Sequence, residues 1–474
     1  MAPETDTICA VATPPGAGGI SVIRVSGPAA FAAVGKLVPF LTQPIVSHRA
    51  VFGRLRTSAG EEIDEVVVLP FVSPRSFTTE DVVEISCHGS PAICQWILQE
   101  LVALGCRIAN KGEFTLRAFL NGRLDLVQAE AVLSLIESES KASARQALAH
   151  LTGQLSRVVT SLQDRVEWAL ANIEAGIDFV EEGLPTLDAR QMTEHLARVR
   201  ADLSGLLDTY RNGRLLGEGL SIVLCGAPNV GKSSLLNVLA AEDRAIVSEI
   251  AGTTRDTVVA SLNVNGVSVR ITDTAGLRTT EDRIETLGIQ RARVAIDAAD
   301  IIFYVFDAQV GLDQNDLLEI QKLLQVPSRR LLCIGNKLDL VPGPDTHQKS
   351  RQARIVFKNA LQNRCLDKML DQVWFGSAEA SSTSREQLLQ LLEGLVPEFD
   401  STGDAVLTKA RHFASLNAAL KALDVVLLGL QQEEAFELLA LSLQECLASI
   451  HSVLGRRLED DVLDRVFREF CIGK

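Results

Sequence analysis

The spacing of apolar positions divides the chain into four stretches. In residues 1–121 they come in short runs. Thr7–Thr13, Gly19–Val25, Glu65–Phe71 and Asp81–Ser86 read as strands, and Pro91–Leu104 as a helix. Gly112-Glu113-Phe114-Thr115 is a turn leading into a helix, and Asn121-Gly122 breaks it. From 124 to 215 the period lengthens, and a long helix is expected to start near Leu124. Leu155, Val158, Val159, Leu162, Val166, Leu170, Ile173 and Ile177 recur at spacings of three and four, the inward stripe of an amphipathic helix. Glu181–Pro185 ends it, and a further helix is expected from about Asp188 to Gly213.

Residues 216–380 alternate buried strand-like runs with helices, the pattern of a doubly wound parallel sheet. Val258–Val264 and Val267–Thr272 form a hairpin about Asn265-Gly266. Residues 381–474 return to helix over Ala410–Leu430, Glu433–Leu454 and Arg457–Phe470. The expected architecture is multidomain, α/β and all-α. An α+β domain spans 1–121, and a discontinuous helical domain spans 122–215 and 381–474. A Ras-like doubly wound domain is inserted at 216–380.

The chemistry sits in that third stretch. Strand Ser221–Cys225 runs into Gly226-x-x-x-x-Gly231-Lys232-Ser233 and then a helix, the order a phosphate-binding loop requires. Its glycines let Asn229, Val230, Gly231 and Ser234 turn backbone N–H groups onto one anion, at the positive end of the helix. Lys232 can reach the terminal phosphates, and the Ser233 hydroxyl can hold Mg2+. The loop Ser248-Glu249-Ile250-Ala251-Gly252-Thr253-Thr254 stands where a first switch belongs, with Thr254 as a second oxygen ligand to Mg2+. Asp273-Thr274-Ala275-Gly276 ends the hairpin, with Asp273 behind the metal's waters and the Gly276 N–H at the γ-phosphate. Asn336-Lys337-Leu338-Asp339 follows the next strand, where a carboxylate can accept two hydrogen bonds from the guanine edge that adenine lacks. Gly376-Ser377-Ala378 can offer an N–H to the guanine oxygen. Together these predict a GTPase.

One position departs from the Ras-type pattern. The residue after Asp-Thr-Ala-Gly is Leu277, which cannot orient a water as glutamine does. Arg255, Arg278, Glu281, Asp282, Glu285 or a monovalent cation are candidates for what replaces it.

Length and composition add limits. A chain of 474 residues suggests about three domains. A net charge of -14 excludes coating nucleic acid by bulk electrostatics, so any RNA contact needs a local basic patch. Nine scattered cysteines show no paired Cys-x-x-Cys, indicating neither a zinc site nor a disulfide framework, and this fits a reducing cytoplasm. No signal peptide and no run of bilayer-spanning length is expected. Two charges sit inside apolar strands, Arg24 in Ile20–Val25 and Glu84 in Val82–Ile85. They lie at an edge or solvent-facing position, or they mark a polar ligand pocket.

Across its length the chain resembles the bacterial and organellar tRNA-modification GTPase family called MnmE or TrmE. The resemblance is carried by Ala12-Thr13-Pro14-Pro15-Gly16, Gly112–Thr115, Arg117–Gly122, Asp125–Ala131, the inserted G domain and the tail Cys471-Ile472-Gly473-Lys474. It implies a folate-binding, homodimer-forming N-terminal domain. A 5-formyl-tetrahydrofolate or related folate would be held at Arg24, Glu84, Arg123 and Lys474. It implies G domains that dimerise across the nucleotide around K+, with ligands at Asn229, Ser248, Ile250 and Thr253. It places the water-orienting glutamate at Glu285 and a candidate uridine nucleophile at Cys471. It implies an FAD-dependent partner, MnmG (GidA), in a heterotetramer, and tRNA as the object of modification at carbon 5 of the wobble uridine. A GTPase switch in ribosome or RNA assembly, without modification chemistry, is the competing expectation. A scaffold that binds GTP without turnover is a third, opposed by the intact Lys232, Ser233, Thr254 and Asp273.

Overall fold

The computed structural model describes residues 6–41, 44–178, 189–240, 259–273, 293–325, 330–361, 373–378, 382–397, 405–456, 463, 466–468, 470 and 472–473. The chain forms two compact units. The first joins residues 1–137, 147–208 and 410–474, and the second joins 138–146 to 209–409.

The first unit opens on a sheet of β1 (Ile8–Val11), β2 (Gly18–Ser26), β3 (Val51–Arg56), β4 (Glu62–Phe71), β5 (Val82–Gly89) and β6 (Arg107–Ile108). Their order is β3-β4-β5-β2-β1-β6. Helices α1 (Ala30–Leu37) and α2 (Pro91–Ala103) share its core, where Ile23, Val25, Val34, Ile85 and Ile97 are fully buried. β2 and β5 are interior strands, so the expectation of an edge position for Arg24 and Glu84 is corrected. Register sets the two residues directly opposite each other, and the guanidinium meets the carboxylate at 2.7 Å. Pairing across one face resolves the cost of placing either charge in an apolar strand.

Gly112, at φ 68°, turns the chain into α3 (Glu113–Leu120). Buried Glu113 is clamped by Arg107 at 2.6 Å and Arg117 at 3.0 Å. Asp125 and Gln128 close a capping box, so the following helix α4 (Leu126–Ile136) starts at 126. The single long helix expected from Leu124 is instead α4, α5 (Lys141–Leu151) and α6 (Gln154–Asp178). Within α6 the expected stripe is buried at Leu155, Val159, Leu162, Val166 and Ile173, whereas Val158 is exposed. α7 (Ala189–Asp208) stops at Thr209, and a separate α8 (Tyr210–Glu218) follows. α13 (Ala410–Gln431) and α14 (Phe436–Leu454) complete the bundle. Among the described residues α13 is the one helix long and apolar enough to cross a bilayer, which corrects the expectation that no such run exists. Its stripe at Leu416, Ala419, Leu423 and Val426 is buried inside the bundle. Past α14 the chain end reaches the sheet. Lys111 bridges Ile472, and Gly473 adopts φ 93° where a Cβ would lie 2.2 Å from the Val11 carbonyl oxygen.

The second unit is a doubly wound sheet. β7 (Leu220–Cys225), α9 (Lys232–Ala240), β8 (Val259–Val264), β9 (Val267–Asp273), β10 (Ile301–Asp307), α10 (Gln314–Leu324), β11 (Arg330–Asn336), α11 (Thr346–Leu361), β12 (Val373–Phe375) and α12 (Ser382–Leu395) follow in the chain. The strand order is β12-β11-β10-β7-β9-β8, all parallel except the β8–β9 hairpin. Both faces of β7 are covered: Ile222 and Leu224 point into one core, Val223 and Cys225 into the other. This is why the run reads as continuous rather than alternating. Leu388, Leu392 and Val396 bring α12 onto the same core as Ile222, so this unit takes in chain beyond residue 380.

Candidate nucleotide site and N-terminal pocket

The phosphate loop leaves β7 at Gly226, whose φ of 129° is open to glycine. A Cβ there would stand 2.0 Å from the Val305 carbonyl oxygen on β10, and one on Gly231 would stand 2.2 Å from Asn336 Nδ2. The two glycines therefore let the loop close against neighbouring strands. Asn229 takes φ 62° and is exposed. Lys232 is buried, and its Nζ donates to the Gly226 and Ala227 carbonyls at 2.9 and 2.6 Å. The ammonium is thereby held at the loop's mouth, where phosphate oxygens can take over as acceptors. Ser233 Oγ donates to Asp273 Oδ2 at 2.6 Å, and Asp273 is buried. A hydroxyl and a carboxylate converging beside a cationic loop form a donor set that suits a hard divalent cation such as Mg2+.

The base side is built from two turns. Lys337 adopts a left-handed φ of 62°, with its Nζ on Asp307 Oδ2 at 2.9 Å. The buried Asn336 donates from Nδ2 to the Val230 carbonyl and accepts from the Ala378 N–H, each at 2.8 Å. One amide thus fastens the phosphate loop to the loop after β12. The Gly376 N–H donates to the Gly335 carbonyl at 3.0 Å, so both neighbours of Ser377 are fixed by their N–H groups. Of the three residues expected to offer an N–H to guanine, Ala378 has its N–H on Asn336 and Gly376 has its N–H on the Gly335 carbonyl. Asp339 is exposed, and Ser377 Oγ donates to its Oδ1 at 2.5 Å. Sequence reasoning misses Asp307 and the Val230 carbonyl. The available signal for Asp307 is its position at the end of a buried strand.

Ser248, Glu249, Ile250, Ala251, Gly252, Thr253, Thr254, Thr274, Ala275, Gly276 and Glu285 lie outside the described residues. So do Arg255, Leu277, Arg278, Glu281 and Asp282. Asn229, Lys232, Ser233, Asp273, Asn336, Lys337, Asp339, Ser377 and Ala378 are described, together with Gly231, Val230 and Ser234.

The N-terminal sheet carries a separate cavity of about 560 Å3, lined by His48, Phe71, Arg75, Phe77, Glu84 and Arg123 among others. The Arg24 guanidinium lies 5.1 Å from the Phe77 ring centre and 5.6 Å from that of Phe114. Arg123 also lies 5.1 Å from the Phe77 ring centre, and its Nη1 donates to the Phe77 carbonyl at 2.5 Å. Burial, and then the like charge of Arg24, pull the Arg123 guanidinium below its ordinary value. Two guanidiniums, one carboxylate and an aromatic face suit a flat heterocycle with polar edges, which a folate's pterin provides. The structure thus brings Arg24, Glu84 and Arg123 together; Lys474 and Cys471 lie outside the described residues.

A doubly wound sheet with a glycine loop, a strand-end aspartate and an Asn-Lys-x-Asp turn defines a phosphate-loop protein of the guanine-nucleotide class. Residues 7–123 match the family described as GTP-binding protein TrmE N-terminus, and residues 126–471 the MnmE helical domain. The chain belongs to the MnmE family of tRNA modification GTPases. The tRNA modification GTPase MnmE of Bdellovibrio bacteriovorus is 43% identical over 483 residues, covering 99% of this chain and 98% of the relative. That of Moorella thermoacetica is 40% identical over 485 residues, covering 99% of each. Among solved structures, a point variant of Era from Aquifex aeolicus bound to GDP and aluminium fluoride covers 43% of this chain and 66% of its own, at 23% identity and a TM-score of 0.30.

Proposed function

We propose that this chain hydrolyses GTP with Mg2+ and K+ and couples the reaction to modification of tRNA wobble uridine at carbon 5. It works with an FAD-dependent partner, MnmG (GidA), as a heterotetramer in the cytoplasm. The observation that supports this most is the Asn336 bracket, which joins a phosphate loop to a guanine-type turn within a chain of this family. Lys232 binds the terminal phosphates, with Ser234 and the loop N–H groups around them. Ser233 and Thr254 supply oxygens to Mg2+, and Asp273 orients that shell. Asn229, Ser248, Ile250 and Thr253 hold K+, whose charge stands in for an arginine finger. Glu285 positions the attacking water that Leu277 cannot.

The domains divide the work. Residues 1–121 form the homodimer, and their Arg24 and Glu84 hold a tetrahydrofolate together with Arg123 and Lys474. The helical segments frame the inserted GTPase domain. When bound, the folate supplies the one-carbon unit. Cys471 stands as the candidate nucleophile toward uridine. Nucleoside analysis of tRNA from cells lacking this protein tests the proposal: the 5-aminomethyl-type wobble uridines should disappear. Their full retention overturns it.

A further inference from the structure

Helix α11 differs in charge from the chain that carries it. The protein bears a net charge of -14, yet Thr346–Leu361 has no carboxylate and holds Lys349, Arg351, Arg354 and Lys358. His347, Arg351, Arg354 and Lys358 follow one another at spacings of four, three and four, so they share one face. At the rise of a helix that stripe is about 16 Å long. All four are exposed. Asp345, just before the helix, is engaged in accepting the Gln348 N–H at 2.8 Å. Lys349 points elsewhere, to the Asp339 carbonyl at 2.6 Å.

Beside the stripe lies a cleft of about 640 Å3, walled by His347, Arg351 and Arg354 from α11, Trp374 and Phe375 from the edge strand β12, and Gln387 from α12. Trp374 is half-buried: it packs against the core that α12 covers and also lines this space. Cations in a row beside an aromatic wall are the two halves of single-stranded nucleic acid recognition: phosphates on the cations, a base on the ring. An acidic peptide would satisfy the row and leave the indole without a role.

We propose that the α11 stripe and this cleft dock the sugar–phosphate backbone of tRNA, with one unstacked base resting against Trp374. The proposal rests on the tRNA-modification reading and adds a second contact surface to it. It also gives the local basic patch that an acidic protein needs to approach a polyanion.

The test uses the full chain and unfractionated tRNA, with affinity followed by fluorescence anisotropy between about 50 and 200 mM KCl. Neutralising Arg351, Arg354 and Lys358 to glutamine should weaken binding at low salt by about tenfold or more. It should lower the salt slope by about 2, at roughly 0.7 per lost single-strand phosphate contact. Arg351→Lys with Arg354→Lys should bind as wild type, because phosphate here needs charge rather than a fork. Trp374→Leu should weaken binding about tenfold with the slope unchanged, as loss of a stacked base requires. GTP hydrolysis without tRNA should be unaltered in the triple variant, which reports its folding. Should that variant fail to fold, Lys358→Glu alone, at an exposed position, should still lower the slope by about 1.

An unchanged affinity and slope in the triple variant overturns the proposal, as does a wild-type chain that binds no tRNA. Loss of a protein partner's binding with tRNA binding intact overturns it too. In cells, failure of this surface and failure of the function are separable. If deletion abolishes wobble-uridine modification while the triple variant binds tRNA normally, the docking surface alone is refuted. If deletion leaves modification complete, the function itself is refuted.

Discussion

Asp339 and Asn336 stand three positions apart and have opposite surroundings. Asn336 is buried with both ends of its amide bonded to loops, while Asp339 is exposed with the Ser377 hydroxyl on one oxygen. Asn336 therefore positions, and Asp339 is left free to take the proposed role of recognising guanine. Hydrogen bonds to a charged group are worth about 1.5–3 kcal/mol each. Asp339→Asn should lower GTP affinity on the order of a hundredfold and raise xanthine-nucleotide affinity, since xanthine presents an acceptor where guanine presents an amine. Competition binding with GTP and XTP reads this directly. An unchanged GTP preference would move the base pocket elsewhere. The sequence made this site legible because spacing along one turn is a local property. Asn336's reach to Val230 and Ala378 is not local, and nothing in Asn-Lys-x-Asp announces it. Likewise Arg24 and Glu84 are visible in the sequence as misplaced charges, but only strand register shows that each resolves the other.

Elements are where the apolar period misleads. No glycine or proline stands between Glu137 and Ser140 or at Thr209, so the helical pattern runs on across breaks that the chain makes. β3 is hard to see in the sequence because Val-Phe-Gly-Arg-Leu-Arg buries only Leu55, as an outer strand can. At the same scale a single ion cluster binds three helices. Arg411, on α13, donates to Glu130 of α4 at 2.9 Å and to the Ser452 and Val453 carbonyls that end α14 at 2.7 and 3.2 Å. His412 Nε2 lies 2.7 Å from the same carboxylate. Burial pushes the Glu130 carboxyl up, but His412 and Arg411 overcome it and hold the group at about 2, below its ordinary 4.5. A depressed carboxyl contributes stability above the ordinary value, and that contribution fades as pH falls toward the folded value. Urea unfolding should therefore lose stability between pH 4.5 and about 2 more steeply in wild type than in Glu130→Gln. Glu130→Gln should also be less stable near neutral pH by about 3 kcal/mol, because Arg411 keeps its charge without a counter-ion. Parallel pH profiles for the two proteins would remove Glu130 from this role.

At the scale of the whole molecule, the proposed chemistry calls for two copies. In the proposed function the K+ ligands carry a cation in place of an arginine, and two G domains close around it. GTP turnover should be much faster in KCl than in NaCl at equal ionic strength, and faster still as protein concentration rises. Equal rates in the two salts would sink the cation's role.

The nesting of one unit inside the other has its own consequence. Thr209 Oγ1 accepts the Leu407 N–H at 3.0 Å, so the inserted stretch begins and ends at one point. During synthesis its last residue leaves the ribosome before α13 and α14 do, and domains generally fold as units from the N-terminal side. α4, α6 and α7 must then wait, their leucine stripes uncovered, while the nested sheet assembles. The period of greatest exposure to chaperones is thus written into the order of the chain.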